Sequence, residues 1–273
     1  MTPPRNLARL LIVAGSDSGG GAGIQADIKT ATALGAYAMT AITAVTVQDT
    51  TGVHSFHTVP PETVADQIRV VLGDIGADAI KTGMLVSART VEAVAKALKP
   101  HAHKSPLVVD TVMIAKGGSQ LVDDSGIEAM KSLLFPLAAL ITPNAPEAAR
   151  LTGLRVETAD DLIRVAEALR EERKGAAVLV KGGHIAGETI TDVLADMDGM
   201  HIFRTRRIGT APMHGTGCTL ATAIATGIAQ RLPLQDAVSR ARLYVQEAVT
   251  QGLAFGHGSG LLNHLHAIPP YEE

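Results

Sequence analysis

The sequence predicts an α/β protein with a mostly parallel sheet flanked by helices. Short, nearly continuous apolar runs alternate along the chain with longer segments whose apolar residues recur at helical spacing, a pattern typical of βαβ units. The apolar residues are mainly aliphatic, because the 273-residue chain has no Trp, 3 Tyr and 4 Phe. Parallel strands that are covered on both faces favour such Val-, Ile- and Leu-rich runs.

The first element pair is a strand followed by a glycine loop and a helix. Residues 7–14 form an apolar run, residues 15–23 contain five glycines, and residues 24–34 have helical spacing that stops at Gly35. The loop fits neither the Walker A pattern nor the dinucleotide-binding fingerprint. Its glycines nevertheless favour close approach of a ligand to the backbone over a merely flexible connection.

The remaining elements continue this alternation. Residues 36–47 and 53–59 predict a β-hairpin, because both are rich in strand-forming residues and flank a polar turn. Further strands are predicted at 79–81, 106–109, 138–141 and 176–180, with an antiparallel pair at 189–195 and 200–207 turning at Asp198-Gly199. Helices are predicted at 60–72, 87–98, 125–134, 158–174 and 233–252. We expect one domain over residues 1–273.

The segment 214–218 is the strongest candidate for chemistry. It leads into the small, apolar helix 220–228, and the free N–H groups of a helix start attract anions such as phosphate. Cys218, the only cysteine, lies at this start, where the pKa of a thiol tends to fall. The alternative that Cys218 is only a small buried side chain stays open on these grounds.

Several polar loops follow predicted strands, at the edge where open α/β sheets bind ligands. These loops are 15–23, 48–52, 82–85, 110–113, 142–147, 181–184 and 214–218. They bring a helix start together with a lysine, Lys181, and with carboxylates suited to Mg²⁺, which are the parts that phosphoryl transfer requires. The combination favours a small-molecule kinase, although Asn144 and Glu147 also fit a capping box without any function.

Composition excludes several other classes of function. A net charge of −3, from 24 basic and 27 acidic residues, gives no general attraction to nucleic acid or to an anionic membrane. Arg204, Arg206 and Arg207 fit a solvated strand edge, and the histidines near the end of the chain fit a surface rather than a zinc site. A single cysteine, with neither a signal-like start nor a membrane-length apolar run, predicts a cytoplasmic protein.

The motifs taken together resemble the hydroxymethylpyrimidine/phosphomethylpyrimidine kinases of thiamine biosynthesis. The matching segments are 14–17, 23–27, 82–85, 110–113, 142–147, 181–184, 214–218 and 256–258. The resemblance implies a ribokinase-like three-layer sandwich that uses ATP and Mg²⁺. It implies that the substrates are 4-amino-5-hydroxymethyl-2-methylpyrimidine and then its monophosphate. A homodimer formed through the hairpin at 37–59 is also expected by analogy.

The resemblance also assigns roles to individual residues. Gln48 would read the aminopyrimidine edge, since an amide both donates and accepts hydrogen bonds. The other implied ring contacts are Gly15, Asp27 and Met84. Asp110, Asn144 and Glu147 would serve ATP and Mg²⁺, with Asp110 and Glu147 holding the metal partly through water.

The catalytic roles implied by the resemblance belong to the last two loops. Lys181 would neutralise transferred charge, and the backbone of Gly215, Thr216 and Gly217 would form the anion hole. Cys218 stands where the larger ribokinase-like family usually has an aspartate that acts as general base. We therefore expect a thiolate, stabilised by the helix start, to accept the proton in the first transfer, and expect the second transfer to need the base less.

Two positions depart from the family pattern, and two other functions stay open. Gly19 and Thr111 stand where Ser and often Pro are expected, and neither change removes a needed side chain. A pyridoxal or pyridoxine kinase shares the Asn-x-x-Glu and Gly-Thr-Gly elements. A non-catalytic pyrimidine-binding module is the other alternative.

Overall fold

A nine-stranded sheet forms the centre of the molecule. The computed structural model describes residues 7–114, 120–172, 175–209 and 213–269. The strands are β1 Ala8–Ser16, β2 Ala36–Gln48, β3 Val53–Thr58, β4 Ala79–Thr82, β5 Leu107–Val109, β6 Ala138–Ile141, β7 Ala177–Val180, β8 Thr189–Asp196 and β9 Gly199–Arg206. Their order across the sheet is β3-β2-β1-β4-β5-β6-β7-β8-β9.

The sheet is parallel in its middle and antiparallel at its edges. Strands β2, β1, β4, β5, β6 and β7 run parallel, whereas β3 pairs antiparallel with β2, and β8 and β9 complete the other edge. The two predicted hairpins are therefore confirmed, and the β8–β9 turn lies one residue earlier than expected, at Met197-Asp198. A separate parallel pair joins β10 Met213–His214 to β11 Gly260–Leu261.

Within the described ranges, eight α-helices cover the two faces of the sheet. They are α1 Gly23–Ala33, α2 Pro61–Asp74, α3 Ala88–Leu98, α4 Asp124–Ala129, α5 Ala145–Thr152, α6 Ala159–Glu172, α7 Thr216–Ala229 and α8 Leu234–Thr250. Helices α1, α7 and α8 pack on one face against Leu10, Ile12 and Val108, and α2 to α6 pack on the other. The predicted α/β sandwich of three layers is thus confirmed.

Two helices differ in extent from the prediction. The helix expected at 125–134 ends as α4 and continues through a π-helical turn, Met130–Leu134, into a 3₁₀ turn, Phe135–Leu137. Pro136 explains the stop, because it cannot donate a backbone N–H to a continuing helix. The last two residues of the helix predicted at 158–174 lie outside the described residues.

The prediction of surface histidines near the end of the chain is wrong for His264. Its side chain is buried, with Nε2 3.0 Å from Thr219 Oγ1, and its backbone oxygen accepts from Tyr244 Oη. The tail after α8 is therefore bonded to α7, the helix that carries Cys218.

None of the helices in the described ranges has the length and apolar character needed to cross a bilayer.

Candidate active site

The polar side chains of the site converge at the carboxyl edge of the parallel strands. Successive strand residues point to opposite faces of a sheet, so residues two apart share a face. The residues Ala79, Val108, Leu140 and Leu179 all face the layer of α1, α7 and α8. Two positions further along the four strands lie Lys81, Asp110, Thr142 and Lys181. The fold thus aligns four polar side chains on the side where α7 begins.

Asp110 and Lys181 form an ion pair at this edge. Lys181 Nζ donates to Asp110 Oδ1 at 2.8 Å, and Thr142 Oγ1 donates to the same oxygen at 3.1 Å. Burial opposes the charge of Asp110, but Lys181 and Lys81 outweigh it and lower the pKa of Asp110. A Cβ placed on Gly217 would lie 3.5 Å from Lys181 Nζ. The pair therefore lies directly beneath the first turn of α7.

The start of α7 presents backbone N–H groups next to this ion pair. Gly215 is the N-cap residue, and no side-chain cap bond is found for this helix in the described part of the chain. Gly215 has a φ of 84°, and a Cβ there would be 1.8 Å from the carbonyl oxygen of Gly21, so only glycine fits. Thr216 and Gly217 lie in the first turn, where backbone N–H groups have no partner within the helix.

Cys218 lies in the same first turn and is partly exposed. Burial raises the pKa of its thiol to about 11, although the charge of Lys81 acts in the opposite direction. The expected lowering of the pKa by the helix start is therefore wrong, because the loss of hydration outweighs the favourable charges. At neutral pH Cys218 is a thiol.

Asp27 and Lys81 form a second, fully enclosed ion pair. Lys81 Nζ donates to Asp27 Oδ2 at 2.8 Å, Thr222 Oγ1 donates to Asp27 Oδ1 at 2.6 Å, and both charged side chains have no exposed surface. Burial opposes the charge of Lys81, but Asp27 and other nearby charges raise its pKa. The expected direct contact between Asp27 and a substrate ring does not fit, since both carboxylate oxygens are bound inside the protein.

The Asn144 and Glu147 side chains close a capping box at the start of α5. Asn144 Oδ1 accepts from the Glu147 backbone at 2.9 Å, and Glu147 Oε2 accepts from the Asn144 backbone at 2.9 Å. Thr111 Oγ1 also donates to Glu147 Oε2, at 2.9 Å. The departure from the family pattern at Thr111 therefore adds a bond to a predicted metal residue. Burial raises the pKa of Glu147, and Lys181 partly offsets this.

The carboxylates fit a water-mediated Mg²⁺ site rather than a protein cage. Among the described residues the bonds use Asp110 Oδ1 and Glu147 Oε2, which leaves Oδ2 and Oε1 for water or metal. No group of three or more His, Cys, Asp or Glu side chains in the described ranges is placed to hold a metal. Mg²⁺ that keeps several waters and is shared with phosphates needs only such sparse ligands.

The predicted acceptor residues lie around the glycine loop that follows β1. A Cβ on Gly15 would be 3.2 Å from Met84 Sδ, so these two residues are neighbours. The amide of Gln48, at the end of β2, contacts Nε2 of His214 at 2.8 Å. The backbone oxygen of Gln48 also accepts from Ser18 Oγ of the loop at 2.7 Å. Gln48, Gly15 and Met84 therefore all adjoin the glycine loop, and Gln48 also reaches the residue before the start of α7.

Comparison with known proteins identifies the family. A sequence profile of the phosphomethylpyrimidine kinase family matches residues 17–263. The chain belongs to this family. A hydroxymethylpyrimidine/phosphomethylpyrimidine kinase of Streptomyces coelicolor is 46% identical to it, over 98% of both chains.

Two further likenesses extend this result. The thiamine biosynthesis bifunctional protein ThiED of Geobacter sulfurreducens is 48% identical over 94% of this chain, which spans only 52% of that protein. The pyridoxal kinase of Bacillus subtilis, solved as an ADP complex, superposes on this chain with a TM-score of 0.87 at 32% sequence identity. The superposition covers 95% of this chain and 98% of the pyridoxal kinase chain. The chain is thus a small-molecule kinase with a ribokinase-like fold.

Sequence reasoning missed two residues of this phosphomethylpyrimidine kinase site. Lys81 lies inside a four-residue strand that is otherwise Ala, Ile and Thr, and a lysine within such a buried run is itself a signal of a paired charge. In the sequence His214 stands only at the start of the glycine loop. Its contact with Gln48 joins positions 166 residues apart, so no local pattern reports it.

Proposed function

We propose that this kinase transfers the γ-phosphoryl group of ATP to 4-amino-5-hydroxymethyl-2-methylpyrimidine, and then transfers a second group to the monophosphate. The proposal rests on how the site residues are arranged in this member of the family. The Asp110–Lys181 ion pair lies beneath the first-turn N–H groups of α7, and Gln48, Gly15 and Met84, which the family resemblance assigns to the acceptor, adjoin the nearby glycine loop. This arrangement supports a site that offsets phosphoryl charge at the start of α7 and takes an organic ring beside the glycine loop.

The residues around the start of α7 stabilise the phosphoryl group during its transfer. Lys181 and the backbone N–H groups of Gly215, Thr216 and Gly217 offset the negative charge that spreads over the transferred phosphoryl oxygens. Bound Mg²⁺ supplies further positive charge to the phosphates. Asp110 and Glu147 would hold it through Oδ2 and Oε1, partly through water, while the backbone N–H of Asn144 holds Oε2 of the Glu147 side chain.

Cys218 carries the proton chemistry of the first transfer. With a pKa of about 11, its thiol is ionised in about one molecule in ten thousand at neutral pH. The acceptor hydroxyl gives its proton to Sγ only when that sulfur has lost its own, so the first transfer depends on this small thiolate fraction. A phosphate acceptor is already ionised, so the second transfer needs Cys218 less.

The test is a coupled ATP assay with the hydroxymethylpyrimidine, its monophosphate and pyridoxine as separate acceptors. We expect turnover with both pyrimidines, and kcat/KM for the hydroxymethylpyrimidine well above that for pyridoxine. Much faster turnover of pyridoxine would instead favour a pyridoxine kinase. That function is the second candidate because the fold is similar to that of a pyridoxal kinase. No turnover with any acceptor would favour a non-catalytic binding module.

We also propose a single cytoplasmic kinase domain that forms a homodimer through the β2–β3 hairpin. The continuity of the nine-stranded sheet supports one domain. Tyr37, Val45, Val47 and Phe56 expose large apolar side chains on this hairpin, which supports an interface there. Light scattering of the purified protein checks the dimer, and a monomeric mass would contradict it.

A further inference from the structure

His214 connects the anion loop to the residue proposed to read the acceptor. It lies in β10, directly before Gly215, and is held by pairing with Leu261 of β11. Its Nε2 is 2.8 Å from the side-chain amide of Gln48 and 3.1 Å from Asp17 Oδ2. One ring nitrogen therefore faces both a carboxylate and an amide, and its proton decides how both contacts are made.

The Asp17 carboxylate settles where that proton lies. Its oxygens accept backbone N–H groups from Gly19 at 2.8 Å, from Gly21 at 3.0 Å and from Ala22 at 2.8 Å. Burial opposes its charge, but His214 and these N–H groups outweigh burial and lower the pKa of Asp17. An ionised carboxylate only accepts hydrogen bonds. Nε2 of His214 therefore carries a proton.

A protonated Nε2 on His214 determines which end of the Gln48 amide faces it. The two ends of an amide have nearly the same shape, so the hydrogen-bond partners decide the orientation. An amide NH₂ against an imidazole N–H would set donor against donor, whereas the amide oxygen accepts. The structure has Gln48 Nε2 toward His214 and Oε1 3.2 Å from Thr46 Oγ1, so these hydrogen bonds require the two amide ends to be exchanged. Nε2 then donates to Thr46 Oγ1, whose own proton goes to the Ser16 backbone oxygen at 2.9 Å.

This orientation gives every donor an acceptor in the series of hydrogen bonds that runs from Asp17 through His214, Gln48 and Thr46 to Ser16. The Gln48 amide keeps one oxygen lone pair and one N–H for a ligand, in a fixed order along its edge. That order complements an exocyclic amine, which donates, beside a ring nitrogen, which accepts. It does not complement a ring that lacks the amine or carries a carbonyl there.

We propose that Asp17 and His214 determine acceptor specificity by fixing the orientation of the Gln48 amide toward a donor–acceptor edge of the aminopyrimidine class. This rests on the proposed function, in which Gln48 contacts the acceptor ring. His214 acts here as a positioning residue. Loss of its N–H frees the amide to rotate, and an amide that spends part of its time reversed recognises the amine less well.

The experiment compares two acceptors in His214→Phe and His214→Gln. One acceptor is the 4-amino-5-hydroxymethylpyrimidine, and the other is the same ring without the exocyclic amine. We expect His214→Phe to lower kcat/KM for the amino acceptor by about tenfold, the effect of about one hydrogen bond, with little change for the other acceptor. The amide of His214→Gln can donate as the imidazole does, so we expect it to restore most of the discrimination.

The discrimination ratio separates positioning from simple support of the fold. Equal losses with both acceptors, or no discrimination by the wild-type protein, would overturn the proposal. His103→Phe, at an exposed position in the loop after α3, is the matched control and should behave as wild type.

Calorimetric titration of both pyrimidines without ATP keeps this proposal apart from the proposed function. Failure of turnover with ATP and Mg²⁺ contradicts the kinase activity. Equal Kd values for the two rings in the wild-type protein contradict the role of His214.

If circular dichroism shows that His214→Phe is unfolded, the comparison rests on His214→Gln and His214→Asn. Loss of discrimination in His214→Asn with retention in His214→Gln supports the proposal, and equal loss for both acceptors in each variant overturns it.

Discussion

Cys218 illustrates how a single residue's environment changes the meaning of its position. A helix start lowers the pKa of an exposed thiol, but the loss of hydration around the partly buried Cys218 raises it to about 11. The position of Cys218 in the first turn of α7 was predictable, because glycines mark the loop before it. The sign of its pKa shift was not, because burial depends on β4 and α1, which lie far away in the sequence.

The pH profile of the two transfers tests the role of Cys218. Below the pKa of about 11 the thiol is neutral, and each unit of rising pH increases the thiolate fraction about tenfold. We expect kcat for the first transfer to rise with pH between about pH 7 and 9, and kcat for the second transfer to change much less. Stopped-flow or quenched-flow assays with each acceptor measure this.

Cys218→Ala supplies the control for that profile. It should flatten the pH dependence of the first transfer and slow it more than the second. Equal losses of rate in both transfers, or a wild-type profile of the first transfer that is flat, would contradict the assignment of Cys218 as base.

At the scale of an element, the start of α5 combines a structural and a chemical role. The spacing of Asn144 and Glu147 predicted a capping box, and the structure has both of its bonds. The same spacing left open whether Glu147 does anything else. Thr111, which follows β5, donates to Glu147 Oε2 from a position 36 residues earlier in the chain, so a local pattern cannot decide between cap and metal residue.

Glu147→Gln separates these two roles. Glutamine preserves a capping box, so the free energy of unfolding should change by less than about 0.5 kcal/mol. It removes the negative charge proposed to hold Mg²⁺, so the Mg²⁺ concentration for half-maximal rate should rise severalfold. Urea unfolding and Mg²⁺ titration of the rate measure the two effects.

Asn144→Ala is the matched variant for the cap. It should cost about 1 kcal/mol of stability, as loss of an N-cap side chain does. If Glu147→Gln left the Mg²⁺ dependence unchanged while destabilising α5 as much as Asn144→Ala, Glu147 would be a cap alone.

At the scale of the whole molecule, the Asp27–Lys81 pair connects three elements that lie far apart in the sequence. Asp27 belongs to α1, Lys81 to β4, and Thr222 to α7, one turn after Cys218. Hydrophobic periodicity predicted each of these elements, because strands and helices leave a local pattern. It did not predict the strand order, with β1 between β2 and β4, on which the meeting of the three side chains depends.

Lys81→Met should therefore destabilise the entire fold. It leaves Asp27 buried without its cation, and breaking such a pair costs about 3–5 kcal/mol. Lys81→Met combined with Asp27→Asn removes both charges and should recover much of that loss. Urea unfolding followed by circular dichroism measures this, and a single variant as stable as wild type would contradict a charged pair.

The most direct test of the central claim follows the products formed from the hydroxymethylpyrimidine, ATP and Mg²⁺ over time by phosphorus NMR. The account predicts that the monophosphate appears first and is then converted to the diphosphate, with one ATP consumed at each step. Accumulation of the monophosphate without any diphosphate, or no phosphorylated pyrimidine at all, would contradict it.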